Sequence, residues 1–136
     1  MATSTYERDA RLNTFRATAY PTNPANFYIS LHSADPGATG ASELSGNGYA
    51  RVAVSVASGS WTAPATNGSV RQITNAGSVT FAAATGADWA TATYCGIWDA
   101  STAGNFKRGS ILAVAKTVQV GDILIFNIGD IVINES

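Results

Sequence analysis

After Pro24 the sequence is a succession of short apolar runs cut by turn residues, and that punctuation restricts the fold more than any other feature. Residues 27–32 alternate, with Phe27, Ile29 and Leu31 on one face and Tyr28, Ser30 and His32 on the other, the period-two pattern of a strand. Asp35-Pro36-Gly37 ends the run with turn chemistry, since Pro fixes φ and Gly accepts a positive one. The Gly-, Ser- and Ala-rich stretch up to Gly48 reads as a long surface loop. A second strand is expected over 49–56, with Val52, Val54 and Val56 inward. Further strands are expected near 69–74, 78–81, 91–98, 109–115, 122–128 and 131–133, between turns such as Asn67-Gly68, Asn75-Ala76-Gly77 and Val120-Gly121-Asp122. Seven to eight short strands with frequent turns imply an all-β fold, an antiparallel β-sandwich or jelly-roll-like domain. A chain of 136 residues can enclose such a core without disulfides or metals.

The segment before Pro24 has a different character. Ser4 and Glu7 have the spacing of a capping box, and Leu12, Phe15 and Ala19 recur at helical intervals, which predicts a short helix over 4–19. Pro21 and Pro24 stop it. The chain therefore divides into a helical arm and linker over 1–24 and a β-sandwich domain over 25–136. Arg8, Arg11 and Arg16 form either a solvated helix face or a docking patch for an acidic partner. Two later runs, Ile111-Leu112-Ala113-Val114 and Ile123-Leu124-Ile125-Phe126-Asn127-Ile128, are apolar on both faces, where a strand with one wet face should alternate. Either they are central strands covered on both sides within the chain, for instance by the N-terminal helix, or one face is buried in a partner.

Charged residues make up 12% of the sequence, about half the usual share. A neutral, small-sided surface lets another protein pack on it with little charge desolvation. The net charge of -1 gives no global pull toward nucleic acid or an anionic membrane. Cys95 is the single cysteine, so an intrachain disulfide is impossible, and its apolar strand suggests a small core residue. The opening residues do not resemble a secretory signal, and no apolar run approaches the roughly 18 residues of a membrane span.

Catalytic chemistry has few candidates. His32 is the only histidine, G-x-S-x-G is absent, and a structural hydrogen bond to loop backbone suits His32 better than a dyad with Cys95. Asp35, Glu43, Asp88, Asp99, Asp122 and Asp130 are scattered, mostly at expected turns where Asp caps backbone amides, so no metal site is expected. Gly46-Asn47-Gly48 lacks the length and the lysine of a phosphate loop. Trp61, Trp89, Trp98, Tyr49 and Tyr94 remain as aromatic candidates for sugar or receptor binding, with Trp61 the one expected to be exposed. The expectation is a non-enzymatic domain without cofactor that works through contacts, to which Arg8, Arg11, Phe15, Arg16, Trp61, Lys107 and Arg108 are assigned.

The run Tyr28-Ile29-Ser30-Leu31-His32-Ser33-Ala34-Asp35-Pro36-Gly37-Ala38-Thr39-Gly40 resembles the opening motif of small virion proteins of tailed bacteriophages, often labelled tail-fibre or minor tail proteins. The resemblance continues through Glu43-Leu44-Ser45-Gly46, Tyr49-Ala50-Arg51, Phe81, Asp88-Trp89, Gly96-Ile97-Trp98-Asp99-Ala100, Gly104-Asn105 and Val120-Gly121-Asp122. Phe106-Lys107-Arg108 departs from it, placing charge where similar sequences tend to be apolar. The resemblance implies a structural protein on the outer surface of a phage capsid or tail. Its partners would be other virion proteins, the major capsid protein or tail proteins, with homo-oligomerisation expected. Since the chain contains no shaft-forming repeat, capsid decoration that staples shell subunits together is the first expectation. The alternative is a tail-fibre or tail-tip module that binds a host receptor or carbohydrate.

Overall fold

Among residues 1–57 and 59–135, which the computed structural model describes, ten strands and one helix form in the order β1 (Ala2–Thr3), α1 (Thr5–Thr14), β2 (Asn26–His32), β3 (Val52–Ser55), β4 (Ala65–Asn67), β5 (Val70–Thr74), β6 (Val79–Thr80), β7 (Ala92–Trp98), β8 (Phe106–Lys116), β9 (Ile125–Phe126) and β10 (Val132–Glu135). All registered strand pairs are antiparallel. They form a five-stranded sheet β1-β8-β7-β2-β3, a three-stranded sheet β10-β5-β4 and a two-stranded sheet β6-β9. The chain is thus an all-β, sandwich-like domain with one short helix near its N-terminus.

Register explains where the core sits. Ile29 lies opposite Ile97 and Leu31 opposite Cys95, so these four side chains share one face of the large sheet. Val79, Phe81, Phe126 and Ile131 from the other sheets and loops close over that face. The opposite face carries Ser30 against Gly96, and Gly96 against Gly109. It is dry as well, because the loop after β2 folds back across it. A Cβ on Gly109 would stand 2.5 Å from Cγ of Pro36, and one on Gly96 would stand 2.7 Å from both Phe106 and Oγ of Ser30. Close approach of loop to sheet therefore depends on Gly109 having no side chain, while Gly96 leaves room for Phe106, Ser30 and His32 on the same face. The result is that Ile29, Ser30, Leu31 and His32 are all buried, and so are Cys95–Trp98.

Several expectations change. The helix ends at Thr14, not near residue 19, because Phe15 caps it and Ala17 takes φ 60°. β4 was not anticipated; it pairs with β5 across a two-residue connection in which Gly68 takes φ 60°. The strand expected over 122–128 shrinks to β9, and the one expected over 109–115 begins earlier, at Phe106. The arm is also woven into the sheet. Ala2 pairs with Gly109 and Thr3 with Arg108, and the backbone N–H of Ser4 donates to the carbonyl of Lys107 (2.9 Å).

The two non-alternating runs, read either as covered on both faces within the chain or as having one face buried in a partner, are not fully covered within the chain. α1 packs on β8 at Lys107, away from the Ile111–Val114 run, and leaves that run open. In the second run Leu124 and Phe126 are buried while Ile123, Ile125 and Ile128 are exposed. The doubly covered segments are those in β2 and β7, where small and polar residues let a loop approach.

Candidate functional site

The residues of the phage-like motif converge on one buried polar network. Nδ1 of His32 meets the carbonyl of Ala41 at 2.7 Å, and a carbonyl only accepts, so Nδ1 carries the proton. Nε2 then accepts from Oγ of Ser30 at 2.7 Å, and Ser30 accepts in turn from the indole N–H of Trp98 at 3.0 Å. His32 is held neutral, because burial of the ring pushes its pKa below the ordinary 6.5. Beside this chain, Arg51 grips Glu43 with Nε and one terminal nitrogen, each at 2.8 Å, and donates to the carbonyls of Ala100 and Ala103, also at 2.8 Å. Its guanidinium lies 3.7 Å above the Trp98 ring. Tyr49 donates to Glu43 (3.1 Å) and accepts from the backbone N–H of Leu31 (2.9 Å). Several of the motif blocks, those holding Ser30–His32, Glu43, Tyr49–Arg51 and Trp98–Ala100, are therefore parts of a clamp that fixes the 33–51 segment to the sheet.

This clamp has the atoms of a Ser–His pair but not the access. Ser30 and His32 are both fully buried, and Trp98 and Ala41 occupy their remaining hydrogen-bonding positions. Cys95 shares a face with Leu31, hence the face opposite His32, and burial pushes its thiol up to about 11. The acids serve backbone amides. Asp35 accepts from Gly37, Asp99 from Asn105, Asp122 from Gln119, Asp130 from Asn127 and Asp88 from Val120. Among the described residues no three His, Cys, Asp or Glu side chains cluster as metal ligands do.

A second polar cluster joins the N-terminal segment to the sheet. Ser4 caps α1 by accepting from the backbone N–H of Glu7 (3.0 Å), but Glu7 does not complete the box. Its carboxylate turns inward to Nζ of Lys107 (3.2 Å), the hydroxyl of Tyr20 (2.6 Å) and Arg11 (3.4 Å). Lys107 also lies 4.5 Å from the centre of the Tyr6 ring. Arg108 pairs with Glu135, which binds Arg11 as well. Lys107 and Arg108 are only 7% and 8% exposed. They were assigned to partner contact, yet here they are engaged inside the chain, together with Arg11. Arg8 and Arg16 are exposed, and Phe15 is 90% exposed at the end of α1. Trp61, expected to be exposed, is half-buried against the core and bridges to Asn75. Trp89 and Trp98 are buried, so the tryptophans make no exposed row.

What the chain does present is an apolar face at the far end of β8. Ile111 and Val114 are each 67% exposed, and Val120, Ile123, Ile125 and Ile128 are exposed with them. A groove of about 330 Å³ runs beside Ile111–Val114, with Cys95, Phe126 and Ile131 in its lining. A second depression of about 390 Å³ continues from Lys116 past Ile123 and Ile125. Ile111 and Val114 beside the first depression, and Ile123 and Ile125 beside the second, form exposed apolar patches of the kind that mark contact surfaces. The signal was present in the two non-alternating runs, although one of their two readings placed them inside the chain.

The family model described as "Podophage GP4 fiber I protein gp80" matches residues 2–134. The chain belongs to this family of phage structural proteins, and its place is on the virion, at the surface of tail or capsid. No curated protein matches it.

Proposed function

We propose, from the chain's membership in a podophage fibre family, that it is a non-enzymatic building block of a fibre on the phage particle, held there by protein–protein contacts. The fibre description supports this reading over capsid decoration, which remains the second reading. The observation that carries it is the apolar face around Ile111, Val114, Ile123 and Ile125, a surface built for packing and not for chemistry. The buried state of Ser30, His32 and Cys95 supports the absence of a catalytic role. Binding of sugar by a tryptophan platform has little support, because Trp89 and Trp98 are buried and Trp61 is half-buried.

Electron microscopy of particles labelled with antibody against this chain tests the assignment. Label on thin projections from the tail or neck is expected. Label spread evenly over the head, together with particles that burst at lower temperature when the chain is missing, would replace the fibre reading with the decoration reading.

A further inference from the structure

The chain holds two Asn-Gly steps, Asn47-Gly48 and Asn67-Gly68. The backbone nitrogen after an asparagine can attack the side-chain amide carbon. Glycine favours this, because without a Cβ its nitrogen is unhindered and its backbone turns freely. Attack still needs the main chain to rotate until the nitrogen reaches the amide, so the fold decides which step reacts. Exposure does not separate the two, since all four residues are exposed. They differ in how the backbone is held.

Asn47 takes φ 53°, and its carbonyl accepts from the backbone N–H of Thr85 (2.9 Å) and the indole N–H of Trp89 (2.8 Å). A Cβ on Gly48 would stand 2.7 Å from Oγ1 of Thr85 and 3.1 Å from the carbonyl oxygen of Ala83. This peptide is therefore pinned to the 83–89 segment, whose Trp89 is itself in the core. Asn67 instead ends β4, and Gly68 begins the turn into β5. β4 is three residues long, exposed throughout, and the outer strand of its sheet. A Cβ on Gly68 would meet nothing within 4 Å. The Asn67 amide donates to Oε1 of Gln72 (3.0 Å), an exposed bond that parts when the tip opens. Such opening uncovers no core residue, which puts it at the low-energy end of local unfolding.

We propose that Asn67 is a site of spontaneous deamidation and isoaspartate formation, and that the fold protects Asn47. When the tip of β4 opens, the backbone nitrogen of Gly68 bonds to Cγ of Asn67. The side-chain nitrogen leaves as ammonia and takes the proton that Gly68 loses. The cyclic imide then takes up water. Cleavage at the side-chain carbonyl gives aspartate; cleavage at the main-chain carbonyl gives isoaspartate, whose backbone runs through Cβ and is one atom longer. Either product adds a negative charge to the net charge of -1. Isoaspartate also disrupts the pairing of position 67 with Val70, which detaches the end of β4 and leaves the core in place. The proposal is independent of where on the particle the chain sits.

Peptide mapping by mass spectrometry tests it, on the full chain stored in mildly alkaline buffer with and without urea. In urea the two sites should convert at similar rates. In the folded chain Asn67 should convert more than about tenfold faster than Asn47. A disulfide across the tip, Thr66→Cys with Arg71→Cys at paired positions, should slow Asn67 by about tenfold. Enzymatic methyl labelling of isoaspartate in the folded chain should be lost in Asn67→Gln. Equal rates at the two sites in the folded chain, faster conversion at Asn47, or conversion in urea alone overturns the proposal. So does label that persists in Asn67→Gln, or a disulfide variant that converts as fast as the unsubstituted chain.

Discussion

The two halves of β8 invert the usual rule of burial. Its first half, Phe106–Gly109, carries Lys107 and Arg108 and is buried; its second half carries Ile111, Ala113 and Val114 and is exposed. The first half can be polar because every charge finds a partner, Lys107 in Glu7 and Arg108 in Glu135, and no buried side-chain nitrogen or oxygen among the described residues lacks a hydrogen bond. In the second half Leu112 packs partly against the core, while Ile111, Ala113 and Val114 stay open. The helix repeats the inversion, with Ser4, Glu7 and Ala10 inward and Leu12 and Phe15 outward. In β8 and α1, polarity therefore separates self-directed contacts from outward ones: Glu7, Lys107 and Arg108 tie the chain to itself, while Phe15, Ile111 and Val114 stand outside.

That contrast predicts unequal responses to substitution. Lys107→Met should have the largest effect, because it removes the buried cation from Glu7 and leaves it only Tyr20 and a long contact to Arg11, at a cost of about 3 kcal/mol in urea unfolding. Pairing it with Glu7→Leu should restore much of that loss, since replacing a whole buried pair is far cheaper than breaking it. A double variant as unstable as the single one would show that the ion pair is not what anchors α1.

Gly96→Ala comes next, at about 2 kcal/mol, because the new methyl meets Phe106, Ser30 and His32 at 2.7–2.8 Å in a packed layer. A neutral result would mean that Ser30, His32 and Phe106 are not packed over Gly96 as described. Mild acid should act on the same layer more weakly. His32 is neutral in the fold and has a lowered pKa, so the unfolded chain takes up a proton that the fold refuses. Stability should be level above about pH 6.5 and fall as the pH drops below that value, and His32→Gln should flatten this part of the profile. A profile that is flat in the unsubstituted chain would break the hydrogen-bond relay. The smallest change in monomer stability belongs to the outer half of β8. Ile111→Thr should shift the unfolding midpoint by less than about 0.5 kcal/mol, as exposed positions do. A loss above 2 kcal/mol would show that Ile111 is covered within the chain.

Much of the architecture was legible because alternation reports pleat directly. β2, β5 and β7 lie close to where turn residues and period-two runs put them, and the turn role of the aspartates follows from their short side chains. The hydrogen bond from His32 to loop backbone was legible, and Ala41 accepts it. Other inner partnerships were not: Ser30 lies on the more polar face of its strand, and the loop that covers it announces no such role in its composition. Glu7 read as half of a capping box; its true partner is a hundred positions away, at Lys107. The apolar face was visible in the two non-alternating runs, yet nothing local to them distinguishes a covered strand from an uncovered one. Of the blocks that carried the phage resemblance, Glu43, Tyr49, Arg51 and Trp98 form the clamp that closes this part of the fold.

The register of the central strands also sets a clock. β2 is completed by β7, with His32 opposite Tyr94, so the strand holding Ile29 and Leu31 has no neighbour on that side until about 60 more residues have been made. At 5–20 residues per second, a ribosome needs on the order of 3–12 seconds to supply them. Through that interval the β7 side of β2, with Ile29 and Leu31, stays uncovered. Escape from premature association then depends on how quickly β7 and β8 close the sheet after they emerge, a rate that long-range pairing keeps slow.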